Sequence, residues 1–163
     1  LYYNRVNTGR PKPPPDTRPF SFTSCYLDTP NLPLYSFGYG LSYTSFEYLS
    51  LETDRERMTP SESLRVSVLI RNTGSRPGKE TVQLYLRDTK ASVVRPVQQL
   101  IDYQKVLLQP GETRKVVFTV TEPQLRFWNA DCELVSEPGW FELSAGYADH
   151  LLQTRSFCLE KES

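Results

Sequence analysis

The chain has 163 residues, with 19 basic and 19 acidic side chains. That length suffices for one well-packed domain, or for a domain with a long appendage. Balanced charge sets aside a nucleic-acid binder, which would carry a basic excess. No apolar run approaches the roughly 20 residues that a membrane span needs.

The first residue is Leu1 rather than Met. A processed product, a fragment and an incomplete sequence all stay open, so the lack of a signal peptide assigns no compartment. Residues 1–45 are rich in Pro, Tyr and polar side chains and include Arg10-Pro11-Lys12-Pro13-Pro14-Pro15. Such a run favours polyproline II and excludes a helix or a central strand. It reads as a stiff connector lying on a surface. The stretch Pro33–Phe46 then sets five rings, Tyr35, Phe37, Tyr39, Tyr43 and Phe46, around Gly38 and Gly40. It has neither helical nor clean strand period, and rings of this density have to lie against something. It reads as an arch joining two bodies.

From about residue 46 the period becomes two. Leu64, Val66, Val68 and Ile70 alternate with Arg65, Ser67 and Arg71, interrupted by Leu69. Val82, Leu84 and Leu86 alternate with Gln83, Tyr85 and Arg87, Val116, Phe118 and Val120 with Lys115 and Thr119, and Phe141, Leu143 and Ala145 with Glu142 and Ser144. Each run predicts a half-buried strand. Phe46–Thr53, Leu100–Leu108 and Leu152–Leu159 are weaker strand signals. Asn72-Thr73-Gly74 with Pro77-Gly78 predicts a loop, and Pro110-Gly111 and Pro138-Gly139 predict tight turns with Gly at positive φ. Glu122–Arg126 predicts one helical turn with Pro123 early in it. About seven strands over 46–163 make the fold class all-β, an immunoglobulin-like or fibronectin type III-like β-sandwich. The missing Cys…Trp…Cys spacing favours the second, with 1–45 as an irregular N-terminal extension.

Chemistry-bearing residues are sparse. His150 beside Asp149 reads as a solvated pair near the last turn, and no Ser stands in a GxSxG elbow. The acids Glu52, Asp54, Glu56, Glu62, Glu80, Asp88 and Glu112 fall on predicted solvent faces or turns, not in apolar settings that would raise a pKa. Cys25, Cys132 and Cys158 are too few for a disulfide framework and read as buried or half-buried residues, with one disulfide left open. No EF-hand loop, P-loop, GxGxxG or zinc spacing is present, so no cofactor or metal is expected. Tyr35, Phe37, Tyr39, Tyr43, Phe127, Trp128 and Trp140 could stack on sugars, but packing is the favoured reading for them.

The order Asn7-Thr8-Gly9-Arg10-Pro11, Tyr26-Leu27-Asp28 and Pro33–Thr44 resembles the C-terminal region of glycoside hydrolase family 3 enzymes. The likeness continues through Asn72-Thr73-Gly74, Val82–Leu86, Arg95-Pro96-Val97-Gln98-Gln99-Leu100, Leu108–Thr113, Leu125–Asn129 and Glu137-Pro138-Gly139. Each motif is weak alone, and together they are specific. The resemblance implies that residues 1–45 end an α/β sandwich domain and that 46–163 form a terminal fibronectin type III-like domain. The family's barrel, its nucleophilic aspartate and its acid/base segment match no position here, so no catalytic residue is assigned.

The resemblance also implies a β-glucosidase-type parent whose catalytic domains are the partner, with weak glycan contact as a lesser one, in the periplasm or outside the cell. Tyr35, Phe37, Tyr39, Tyr43 and Phe46 are expected at the seam. Asp88–Leu100 is long for a hairpin loop and holds Arg95-Pro96; it is expected to lean on the catalytic domains, with Arg95 pairing a carboxylate or carbonyl there. The alternatives are an independent carbohydrate-binding or adhesive sandwich and, far behind, a complete small enzyme.

Overall fold

The computed structural model describes residues 33–147 and 150–161. The proline run, Tyr26-Leu27-Asp28, Cys25 and Asp149 lie outside the described residues. Seven long strands carry the fold: β1 Phe46–Thr53, β3 Ser63–Asn72, β4 Gly78–Asp88, β5 Gln99–Leu108, β6 Thr113–Thr121, β9 Gly139–Tyr147 and β10 His150–Leu159. Three two-residue strands accompany them: β2 Arg57–Met58, β7 Phe127–Trp128 and β8 Leu134–Val135. They form a three-stranded sheet, β1-β3-β6, a five-stranded sheet, β2-β10-β9-β4-β5, and the small β7-β8 hairpin. All pairings are antiparallel except β2 with β10.

The period-two pattern accounts for the core. Leu64, Val66, Val68 and Ile70 of β3 and Val116, Phe118 and Val120 of β6 are buried on one sheet. Val82, Leu84 and Leu86 of β4 meet them from the other sheet, with Phe141, Leu143 and Ala145 of β9 and Phe157 and Leu159 of β10. Phe141 and Phe157 lie opposite each other and stack at 5.4 Å between centroids. Each such side chain, fully buried, contributes about 1.5–3 kcal/mol from apolar transfer.

β1 gives a weaker sequence signal for a physical reason. A bulge between Tyr48 and Ser50 advances the strand by one residue, so Tyr48 and Leu51 both face the core although three positions separate them. Phe46, at its start, packs on the same core.

Several expectations need correcting. Gly111 has φ +76 and turns the β5–β6 hairpin as expected, but Gly139 begins β9 without a positive φ. The expected helical turn is present as a 3-10 turn, Glu122–Leu125, with Pro123 early in it. Cys158 is half-buried, whereas Cys132 is exposed at φ 59 in the β7–β8 loop. Glu80 and Asp88 do not face solvent. Glu80 is buried and accepts a hydrogen bond from the Tyr48 hydroxyl at 2.9 Å. The Asp88 carboxylate is buried against Arg95.

Candidate functional site

The arch, residues 33–45, lies across the outward face of β4 and β5, and local chemistry fixes it there. Its turn closes with the Tyr39 N–H donating to the Ser36 carbonyl at 2.9 Å. Gly38 sits at φ +81, a left-handed conformation that side chains disfavour. A Cβ there would overlap the Gln83 carboxamide. Gln83 uses both ends of that carboxamide: Nε2 donates to the Gly38 carbonyl at 2.9 Å, and Oε1 accepts from the Tyr85 hydroxyl at 2.6 Å. Both Gln83 and Tyr85 are buried although they project from the outward side of β4.

The far end of the arch is tied to the β3–β4 loop. The Thr44 hydroxyl donates to Asn72 Oδ1 at 2.7 Å, and the Thr73 N–H donates to the Ser45 carbonyl at 2.9 Å. Asn72 is fully buried and its amide nitrogen donates to the Arg76 and Leu108 carbonyls at 2.8 and 3.2 Å. Gly74 and Gly78 leave room for Thr44, whose side chain a Cβ at either position would strike.

What this anchored segment displays is apolar. Tyr35 and Tyr39 pack together at 5.2 Å between ring centroids, and both remain exposed, as does Phe37. Tyr43 is 95% exposed, and Leu34 and Leu41 are each 89% exposed. A cleft of about 700 Å³ opens beside them, floored by β4 and β5 and roofed by the arch.

The β4–β5 loop, residues 89–98, is built differently from expectation. Arg95 finds its partners in this chain. Nη1 donates to Asp88 Oδ2 at 3.0 Å and to the Leu125 carbonyl at 3.2 Å, and the guanidinium lies 4.7 Å from the Phe127 ring centroid. The two side chains are only 9% and 3% exposed. The Lys90 N–H caps Asp88, the Ser92 N–H donates to Glu137, and Thr89 donates to the Trp140 carbonyl. Pro96, Val94 and Val97 stay outside.

Of the remaining aromatic candidates, Phe127 is buried, while Trp128 and Trp140 are exposed, the latter 5.9 Å from the Arg57 guanidinium. His150 lies in β10. Below the loop, Glu122 accepts from Arg126 Nε at 2.9 Å and from the Ser136 hydroxyl at 2.5 Å. The Arg126 contact first, then Ser136, holds its carboxyl below the ordinary carboxylate range against the opposing effect of burial. Among the described residues no cluster of His, Cys, Asp and Glu could hold a metal ion, and no helix is long and apolar enough to cross a membrane.

The structure leaves Tyr35, Phe37, Tyr39 and Tyr43 exposed on one segment, while Phe46 packs partly on the core at the edge of the same cleft. Sequence reasoning missed Gln83, Tyr85, Asn72 and Asp88. The signals for them were Asn72-Thr73-Gly74 and Val82–Leu86, read as a loop, a strand and family motifs without a role for these side chains.

The fibronectin type III-like domain family matches residues 80–148. The chain is 40% identical over 157 residues to the periplasmic β-glucosidase of Salmonella typhimurium, covering 96% of this chain and 20% of that protein. It is 40% identical over 121 residues to a β-xylosidase of Formosa agariphila, covering 74% of this chain and 17% of that protein. The crystal structure of a β-glucosidase from Listeria innocua in complex with gluconolactone superimposes with a TM-score of 0.80 at 39% identity, over 98% of this chain and 22% of that one. This chain thus spans about a fifth of the length of these relatives. Fold, domain match and relatives agree: the chain is a fibronectin type III-like domain of the kind found at the C-terminal end of glycoside hydrolase family 3 β-glucosidases.

Proposed function

We propose that this chain is the non-catalytic accessory domain of a β-glucosidase-like hydrolase. It packs on the catalytic domains and stabilises them, while the parent cleaves terminal β-glycosidic bonds in the periplasm or outside the cell. The observation that carries this reading is the anchored arch: Gln83, Tyr85, Asn72 and Gly38 hold a segment whose rings point away from the domain's own core. An order held by buried hydrogen bonds suits a surface that is to be covered, since it lowers the entropy lost on docking. Tyr35, Phe37, Tyr39 and Tyr43 are the seam, with residues 1–45 leading into it and the sandwich beginning near Phe46. Pro96 and its neighbours form a second edge, and Arg95 acts there by shaping the loop from within.

The test uses the full-length gene product. Tyr35→Ser with Tyr43→Ser removes two exposed rings, each contributing about 1.5–3 kcal/mol if fully covered. The expected result is a calorimetric trace in which this domain melts apart from the rest, with a lower melting temperature for activity. An unchanged trace overturns the reading, as does a gene product with no catalytic domain preceding Leu1. Micromolar binding of cello- or laminari-oligosaccharides by this domain would favour a carbohydrate-binding module in its place.

A further inference from the structure

Resting on that reading, the cleft beside the arch says what the opposing surface must bring. In the β4–β5 pairing Lys79 lies opposite Leu107, Thr81 opposite Lys105, and Gln83 opposite Tyr103. Residues directly opposite share a face, so Lys79, Thr81, Gln83, Tyr103 and Lys105 all project to the outward side, into the cleft. Lys79 and Lys105 are diagonal neighbours, roughly 7–8 Å apart at the backbone. Across the cleft stand Tyr39 and Ser42 of the arch.

This is a donor-rich, cationic socket. The acid in its lining is Glu80, a buried carboxylate that accepts from the Tyr48 hydroxyl. Among the described residues, neither Lys79 nor Lys105 is in an ion pair. Like charges on diagonal neighbours of one face repel, and an anion bridging them would relieve that repulsion. Elsewhere among the described residues, seven arginine–carboxylate contacts occur.

The cleft opens next to the rings of the arch, and Tyr39 belongs to both. A surface seated on Tyr35 and Tyr39 would close the mouth and exclude water, which strengthens any charge pair formed inside. We infer that the cleft between the arch and strands β4 and β5 receives a carboxylate side chain from the catalytic domains. Lys79 and Lys105 bind its charge while Tyr39, Tyr103 and Ser42 offer hydroxyl donors. The seam is therefore an apolar rim of rings around one buried ionic contact, and the charge fixes register where the rings alone would allow sliding.

Zero-length carbodiimide coupling tests this on the full-length protein, since it joins an ammonium to a carboxylate only when the two are in contact. Peptide mass spectrometry is expected to find Lys79 or Lys105 joined to an Asp or Glu that precedes Leu1. Lys79→Glu with Lys105→Glu should abolish that product and lower the melting temperature more than Lys79→Gln with Lys105→Gln, and the difference should shrink in high salt. Coupling to Asp16 or Asp28 of this chain would overturn the inference, because the socket would then be filled from within. Equal effects of the Glu and Gln pairs would overturn it too. If no coupling occurs while the domain still melts together with the rest and responds to Tyr43→Ser, the docking reading stands and the carboxylate socket falls. If the domain melts separately from the start, both fall.

Discussion

Arg95→Met is the sharpest perturbation of the domain itself. The guanidinium and the Asp88 carboxylate are 3.0 Å apart and 9% and 3% exposed, so the pair is almost fully desolvated. An exposed ion pair contributes about 0–1 kcal/mol. Removing one member of a buried pair costs about 3–5 kcal/mol, because the other charge stays behind without a partner. The same substitution also loses the Leu125 carbonyl contact and the guanidinium over Phe127. At about 2–4 °C per kcal/mol for a chain of this size, the melting temperature should fall by about 6–20 °C. Urea denaturation measures the cost directly. Asp88→Leu combined with Arg95→Met should recover a good part of it, since no buried charge then remains. A cost below about 1 kcal/mol for Arg95→Met would refute the reasoning, because the pair would then behave like a surface one.

Two further outcomes are expected. Gly38→Ala forces an L residue into the left-handed region at φ +81, at about 1–2 kcal/mol, and displaces Gln83. The effect is local: the Tyr39 amide, bonded to Ser36, should exchange about 5–30 times faster, while the core strands keep their protection. Glu122 has a folded-state pKa depressed by Arg126, so the stability it contributes is fully present above its ordinary value of 4.5 and is lost as pH falls through the depressed value. Glu122→Gln should therefore lower stability at neutral pH and flatten the acid limb of melting temperature against pH. An acid limb as steep as that of the unsubstituted protein would contradict this.

Much of the fold is legible in the sequence because the core obeys one rule. Val66 faces Phe118 across β3 and β6, and Leu86 faces Leu143 across β4 and β9, each from a run whose alternate positions are apolar. The rule fails where a bulge shifts phase, as between Tyr48 and Ser50, and where pairing involves two residues, as in β2, β7 and β8. The arch was legible as an apolar segment without a strand period. Its anchor was not, since nothing in the sequence says that Gln83 will meet the carbonyl of Gly38, 45 positions away. Arg95 shows the same limit. A cation on a stiff loop reads as outward-reaching until the fold places Asp88 and Leu125 beside it.

The residues that break the alternation rule locate the covered ground. Thr81, Gln83 and Tyr85 share the outward face of β4, and that face should be wet along its length. Gln83 and Tyr85 are instead buried, with the Gly38 turn resting on Gln83. One strand pair along, Lys79 and Lys105 remain open at the mouth of the cleft. One face thus passes from polar groups the domain satisfies for itself to cations it leaves for something else. If the arch served only to shield its own sheet, its rings would turn inward over Gln83 and Lys79 would be covered. Tyr35 and Tyr43 instead stay 67% and 95% exposed, and that exposure, more than the number of rings, is what the proposed docking on a neighbouring domain rests on.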